Sequence, residues 1–141
     1  MPPSFEAYPS SGCSIVLALV SDKEIVIGNI GDCRAYVCYS TNLSKAVMIS
    51  GNHTESNSEE EARVRAAGGF FIDGRVNGMI PFTRSIGDYA LKTNDFIQQE
   101  QQMIISVPSV FSLRKQDIKY VLLGSGGMWE QPQLVLRHMT N

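Results

Sequence analysis

Two aspartates of this chain each follow a glycine, in Asn29-Ile30-Gly31-Asp32-Cys33 and in Arg84-Ser85-Ile86-Gly87-Asp88. Hard divalent cations prefer carboxylate oxygens, so Asp32 and Asp88 are candidates for a metal site. Aspartates after glycine also close turns through their own backbone, and that is the alternative at both positions. A further glycine-rich turn, Gly124-Ser125-Gly126-Gly127-Met128-Trp129-Glu130, follows an apolar run and offers no charged side chain before Glu130. It starts like a dinucleotide fingerprint, but Trp129 stands at the third glycine position and no acidic ribose ligand follows. His53 and His138 have no partners at metal-ligand spacing, so a zinc site is not expected. Cys33 and Cys38 are five apart, which on one strand puts them on opposite faces and prevents a shared metal. Cys13 lies in an apolar run and reads as a small core residue.

These residues need elements to position them. The stretch at 13–20 is almost wholly apolar, as a strand buried on both faces would be. Runs at 24–30, 33–39 and 45–49 follow through tight polar turns, which predicts a four-strand antiparallel meander. Ser58 can cap a helix over 59–67, whose acidic first turn suits the helix dipole, and Gly68-Gly69 stops it. Residues 70–72 read as a short strand, and 75–97 as a strand edge followed by a loop, because Pro81 cannot donate a ladder hydrogen bond. Runs at 103–107, 109–113 and 120–124 predict three more strands. Pro132 suits the start of a helix over 131–139. About eight strands and two helices make an α+β pattern, or a sheet-on-sheet core with flanking helices.

The chain of 141 residues is long enough for one domain with its own core, and an apolar fraction of 43% is ordinary for a globular protein. A net charge of −2 without a basic tract gives no reason to expect nucleic acid. The longest apolar run is too short to span a membrane. Three cysteines, an odd number, and a start without a basic-apolar leader point to an intracellular, cytoplasmic protein with reduced thiols. On that reading the sequons at Asn42 and Asn52 are chance matches.

Several stretches carry a resemblance. Residues 29–37, Asn-Ile-Gly-Asp-Cys-Arg-Ala-Tyr-Val, resemble the Asn-Val-Gly-Asp-Ser-Arg-Ala stretch of the metal-dependent protein phosphatases of the PPM, or PP2C, family. Residues 75–88 resemble that family's Arg-Val-Asn-Gly…Ser-Arg-Ala-Ile-Gly-Asp motif, and 59–71 its Glu…Arg-Ile…Ala-Gly-Gly segment. Residues 107–130 resemble its Pro-x-Val…Ser-Asp-Gly-Leu-Trp-Asp segment, and 11–20 fit the strand that precedes all of these. Order and spacing agree from residue 11 to about 135.

The resemblance implies a PP2C-like β-sandwich flanked by helices, truncated at its N-terminal side. Residues 1–10 would be an irregular lead-in and 11–141 a partial phosphatase domain. In the family, aspartates at one edge hold Mg²⁺ or Mn²⁺ ions that activate a water against a phosphoserine or phosphothreonine. The Asp-Gly-His-Gly motif, the acidic pair and the phosphate-binding arginine are not found in residues 1–10, nor the closing Asp-Asn motif before Asn141. Gly126 stands where the family has a metal-binding aspartate, and Glu130 where it has a second acidic residue. Asp32 matches the aspartate linked to an outer, third metal. The expected metal residues are therefore Asp32 and Glu130 alone, with no catalytic residue assigned and no high-affinity cofactor. A pseudophosphatase binding or structural module is expected. The alternative is part of an active Mg²⁺/Mn²⁺-dependent phosphatase acting on phosphoproteins. Uncovered sheet faces would favour another protein chain or a larger assembly as partner, a homodimer being one form.

Overall fold

The computed structural model describes residues 11–41 and 45–129. The predicted helix at 131–139 and the candidate ligand Glu130 lie outside the described residues, as does Asn42. In chain order the elements are β1 (Gly12–Cys13), β2 (Ile15–Val20), β3 (Glu24–Ile30), β4 (Arg34–Cys38), β5 (Val47–Met48) and α1 (Ser58–Ala66). They continue with β6 (Phe71–Ile72), β7 (Arg75–Val76), β8 (Ile86–Gly87), β9 (Ser109–Arg114), β10 (Tyr120–Gly124) and α2 (Gly126–Trp129).

Two three-stranded antiparallel sheets carry the fold, ordered β2-β3-β9 and β10-β4-β5. Strand periodicity sends alternate residues of β3 inward, so Ile25, Ile27 and Asn29 are buried while Val26 and Gly28 face out. Cross-strand register puts Ala18 and Phe111 beside Ile27, and Val20 and Leu113 beside Ile25. From the other sheet, Ala35 and Val37 of β4 close the same core, with Val121 of β10 packed against them. A second core lies under α1, where Val64, Val76, Leu91 and Ile104 meet. Two short antiparallel pairs, β1–β8 and β6–β7, complete the strands, and Val76 of β7 belongs to the second core.

Several expectations need correction. The first four strands are not one meander: β3 pairs with β2 and β9, whereas β4 pairs with β10 and β5 in the other sheet. The turn at Gly31-Asp32 therefore crosses between sheets. β2 is not buried on both faces: Leu17 and Leu19 are 42% and 65% exposed, as is Val110 on β9, across β3, at 61%. Cys13 is exposed, not a core residue, and Cys33 precedes β4. The helix cap is Asn57, whose side chain accepts from the Glu59 N–H, and Ser58 is the first helical residue. Residues 103–107 form no strand; Ile105 alone bridges Arg84, in the parallel sense. No helix among the described residues is long and apolar enough to cross a membrane.

Candidate functional site

The site is a sheet edge where three loops meet, and each is fixed by buried polar bonds. The first is the crossover turn that presents Asp32. Beneath it sits His53, 1% exposed. Its Nδ1 accepts the Gly31 N–H at 3.1 Å, so that nitrogen carries no proton. The proton is on Nε2, which donates to Ser109 Oγ at 2.8 Å. Burial, with the nearby charge of Arg84, holds the His53 pKa down at about 4, so the imidazole is neutral near pH 7. Buried Asn29 completes the brace: its Oδ1 accepts from the Gly51 N–H at 2.8 Å and its Nδ2 donates to the Gly51 carbonyl at 3.1 Å.

The second loop, 83–88, carries Asp88. Glu60 of α1 anchors its start, as the shared acceptor for Arg63, Thr83 and Arg84. Arg84 reaches on to the Val107 carbonyl at 2.9 Å. Lys92 Nζ donates to the Ser85 carbonyl at 2.7 Å and to Ser106 Oγ at 2.8 Å. Asp88 itself has left-handed backbone, φ 49°, and its N–H donates to the Ser11 carbonyl at 2.8 Å. It is buried against Gly12: a Cβ on that glycine would lie 2.1 Å from Asp88 Oδ2. That oxygen has no hydrogen-bond partner.

The third loop joins β10 to α2. Trp129 locks it from behind: its Nε1 donates to the Gly124 carbonyl at 2.9 Å, and its ring stacks on Tyr36 of β4 at 4.9 Å. This packing brings Gly126 against Asp32, so that a Cβ on Gly126 would stand 2.5 Å from Asp32 Oδ2. The structure thus joins two of the positions singled out in the sequence, 32 and 126, and keeps Asp88 in its own buried niche. Among the described residues, no three His, Cys, Asp or Glu side chains stand close enough to hold one metal ion. A divalent cation needs several anionic or carbonyl oxygens, and of the two expected metal residues the described structure shows Asp32 alone. Sequence reasoning missed His53 and Glu60, because their partners lie 22 to 56 residues away or on another element. The only local signal was a glutamate with an arginine three residues on, on one helical face.

With this geometry in view, comparison with known proteins is specific. The family model for protein phosphatase 2C matches residues 3–133. Probable protein phosphatase 2C 21 of Arabidopsis thaliana is 34% identical over 123 residues, which cover 86% of this chain and 34% of that protein. Probable protein phosphatase 2C 3 of Paramecium tetraurelia is 35% identical over 139 residues, covering 95% of this chain and 44% of that protein. The chain thus spans between a third and a half of these relatives' lengths. Among solved structures, a sex determining protein of C. elegans superposes with a TM-score of 0.71 at 26% identity, covering 86% of this chain and 28% of that one.

Proposed function

This chain belongs to the protein phosphatase 2C family, and from that premise we propose that it is a PP2C-like binding or structural module that does not itself hydrolyse phosphoproteins. The observation that carries this reading is the contact between Gly126 and Asp32. Glycine at 126 brings only backbone atoms, so Asp32 faces it as a lone carboxylate. Mg²⁺ gives up its waters reluctantly and gains too little from one carboxylate. The remaining candidate ligand, Glu130, would add a second charge on a longer arm. Removing one ligand or its support already costs roughly 10–100-fold in metal affinity or activity.

The partner in this reading is another protein chain or a larger assembly, a homodimer being one form. It draws support from the apolar row Leu17, Leu19 and Val110 on the outer face of β2-β3-β9. Three cysteines, none of them in a disulfide, suit a reducing, intracellular compartment.

A second reading is that the chain is part of a working Mg²⁺/Mn²⁺-dependent phosphatase for phosphoserine or phosphothreonine proteins. The brace under Asp32 and the Glu60 anchor favour it, since both keep a family motif in a defined position. Phosphate release from a phosphothreonine peptide, with Mn²⁺ present, tests the inactive reading for this chain. No turnover above a protein-free control is expected; Mn²⁺-dependent release by the pure chain would overturn the inactive reading.

A further inference from the structure

The conflict between the family's metal chemistry and this donor set reaches further than a missing ligand. We propose that the metal edge is closed from within: the Asp32 carboxylate fills the space that a side chain at position 126 would need. Gly126 does not have the positive φ that would itself demand glycine, so what opposes a side chain there is the neighbour, not the backbone. The neighbour is a carboxylate oxygen 2.5 Å from the Cβ position, with Asp32 Cγ at 3.3 Å. Real Cβ atoms do not approach an oxygen so closely, so any side chain at 126 turns Asp32 out of its present rotamer.

The surroundings prevent a backbone escape. Gly31 is tied to His53, and the 124–129 turn is pinned by the Trp129 bond to the Gly124 carbonyl. The edge can therefore hold a packed Asp32 beside Gly126, or a displaced Asp32 beside a larger residue, but not both. Glycine at 126 thus sets where Asp32 rests as well as withholding a ligand. An aspartate at 126 would face Asp32 as a second carboxylate within the reach of one cation. Without the cation the two charges repel; with it they share a ligand that draws them together.

The inference rests on the same edge as the inactive reading, but it concerns ion binding and steric fit, so the experiment reads those and not turnover. Mn²⁺ is titrated calorimetrically into the full chain and into Asp32→Asn, Gly126→Ala, Gly126→Asp and Asp32→Asn/Gly126→Asp variants, and thermal melts are recorded with and without Mn²⁺. The wild type is expected to give no saturable heat. Gly126→Ala should gain no Mn²⁺ response and keep a melting point close to wild type, since only the end of the Asp32 side chain has to rotate. Gly126→Asp, with two facing carboxylates, should melt lower without metal, regain stability when Mn²⁺ is added, and bind it at least ~10-fold more tightly than wild type. Adding Asp32→Asn should remove that gain. The closed seat is overturned by saturable Mn²⁺ binding to wild type that Asp32→Asn abolishes. A Gly126→Asp variant that folds yet shows no Mn²⁺ response also overturns it. Saturable binding without phosphate release would sink this inference alone, whereas turnover that survives Asp32→Asn would sink only the inactive reading.

Discussion

Glu60 is the buried anion on which α1 and the 83–88 loop converge, and replacing it with glutamine tests that connection directly. Its side chain is 1% exposed. Oε2 accepts from Arg63 Nη2 at 2.8 Å and from Thr83 Oγ1 at 2.5 Å. Oε1 accepts from Arg84 Nε at 3.0 Å and from Arg84 Nη2 at 2.5 Å. Burial pushes the carboxyl pKa up, but these bonds and the guanidinium charges outweigh it and leave the group at about 2, against an ordinary 4.5. That gap corresponds to about 3 kcal/mol in favour of the ionised form in the folded protein. Because the folded value is depressed, the contribution is complete above pH 4.5 and disappears as pH falls from 4.5 through about 2. In Glu60→Gln, an amide N–H₂ meets the guanidinium donors, and Arg63 and Arg84, 14% and 17% exposed, lose their counter-charge. Breaking such a pair from one side costs roughly 3–5 kcal/mol. Urea unfolding at pH 7 should therefore show the midpoint falling by more than about 1 M, given slopes near 1–3 kcal/mol per molar. The variant should also lose less stability than wild type between pH 4.5 and 2. A midpoint within about 0.3 M of wild type, equivalent to less than about 1 kcal/mol, would refute the argument, and so would an unchanged acid profile.

Three further outcomes follow from the same structure. Protonating His53 puts a charge in a buried site near Arg84, so wild-type stability should fall by about 3 kcal/mol as pH drops from 6.5 to about 4. His53→Gln, less stable at pH 7, should be nearly flat across that window in urea melts, and a parallel decline would refute the assignment. Gly12→Ala forces a methyl toward Asp88 Oδ2, only 2.1 Å from the Cβ position, and should cost about 1–3 kcal/mol by denaturation. The same substitution in an Asp88→Ala background should cost measurably less. Sedimentation equilibrium should show self-association that Leu19→Glu weakens, because Leu19 stands 65% exposed on an apolar strand face; a monomer at all concentrations would refute homodimerisation.

The sequence made the main strands legible and hid how they are shared between sheets. Alternation in 24–30 says which side of β3 is buried, and Ile25, Ile27 and Asn29 are on that side. It cannot say whether the next strand lies beside β3 or across the core from it, and β4 lies across. Density of apolar residues also misled: β2 reads as doubly buried, yet its outer row of Leu17 and Leu19 is exposed. The run at 103–107 has strand composition, but only Ile105 finds a bridging partner, and Ile104 turns into the core beneath α1. Asn57 and Ser58 are both good cap residues, and the backbone chose the earlier one. At the site, Asp32 and Gly126 were legible as motif positions, whereas their contact was not, since it depends on how Trp129 seats the turn against Tyr36.

The bonds that shape this edge come from residues other than its candidate ligands. Gly31 is fixed by a neutral imidazole, the 83–88 loop by Glu60, and the 124–129 turn by an indole N–H. None of these three bonds uses a carboxylate of Asp32 or Asp88, so none depends on a cation for its geometry. The same independence explains how glycine can stand at 126 without disturbing the turn. Trp129 fixes the turn from the opposite side through the Gly124 carbonyl, and Asp32 fills the gap from the front. An edge built in this way holds its shape without help from the side chains of Asp32 and Asp88. Because the turn's geometry does not depend on an ion, ion titration at position 126 tests the proposed reading more directly than loss of activity could.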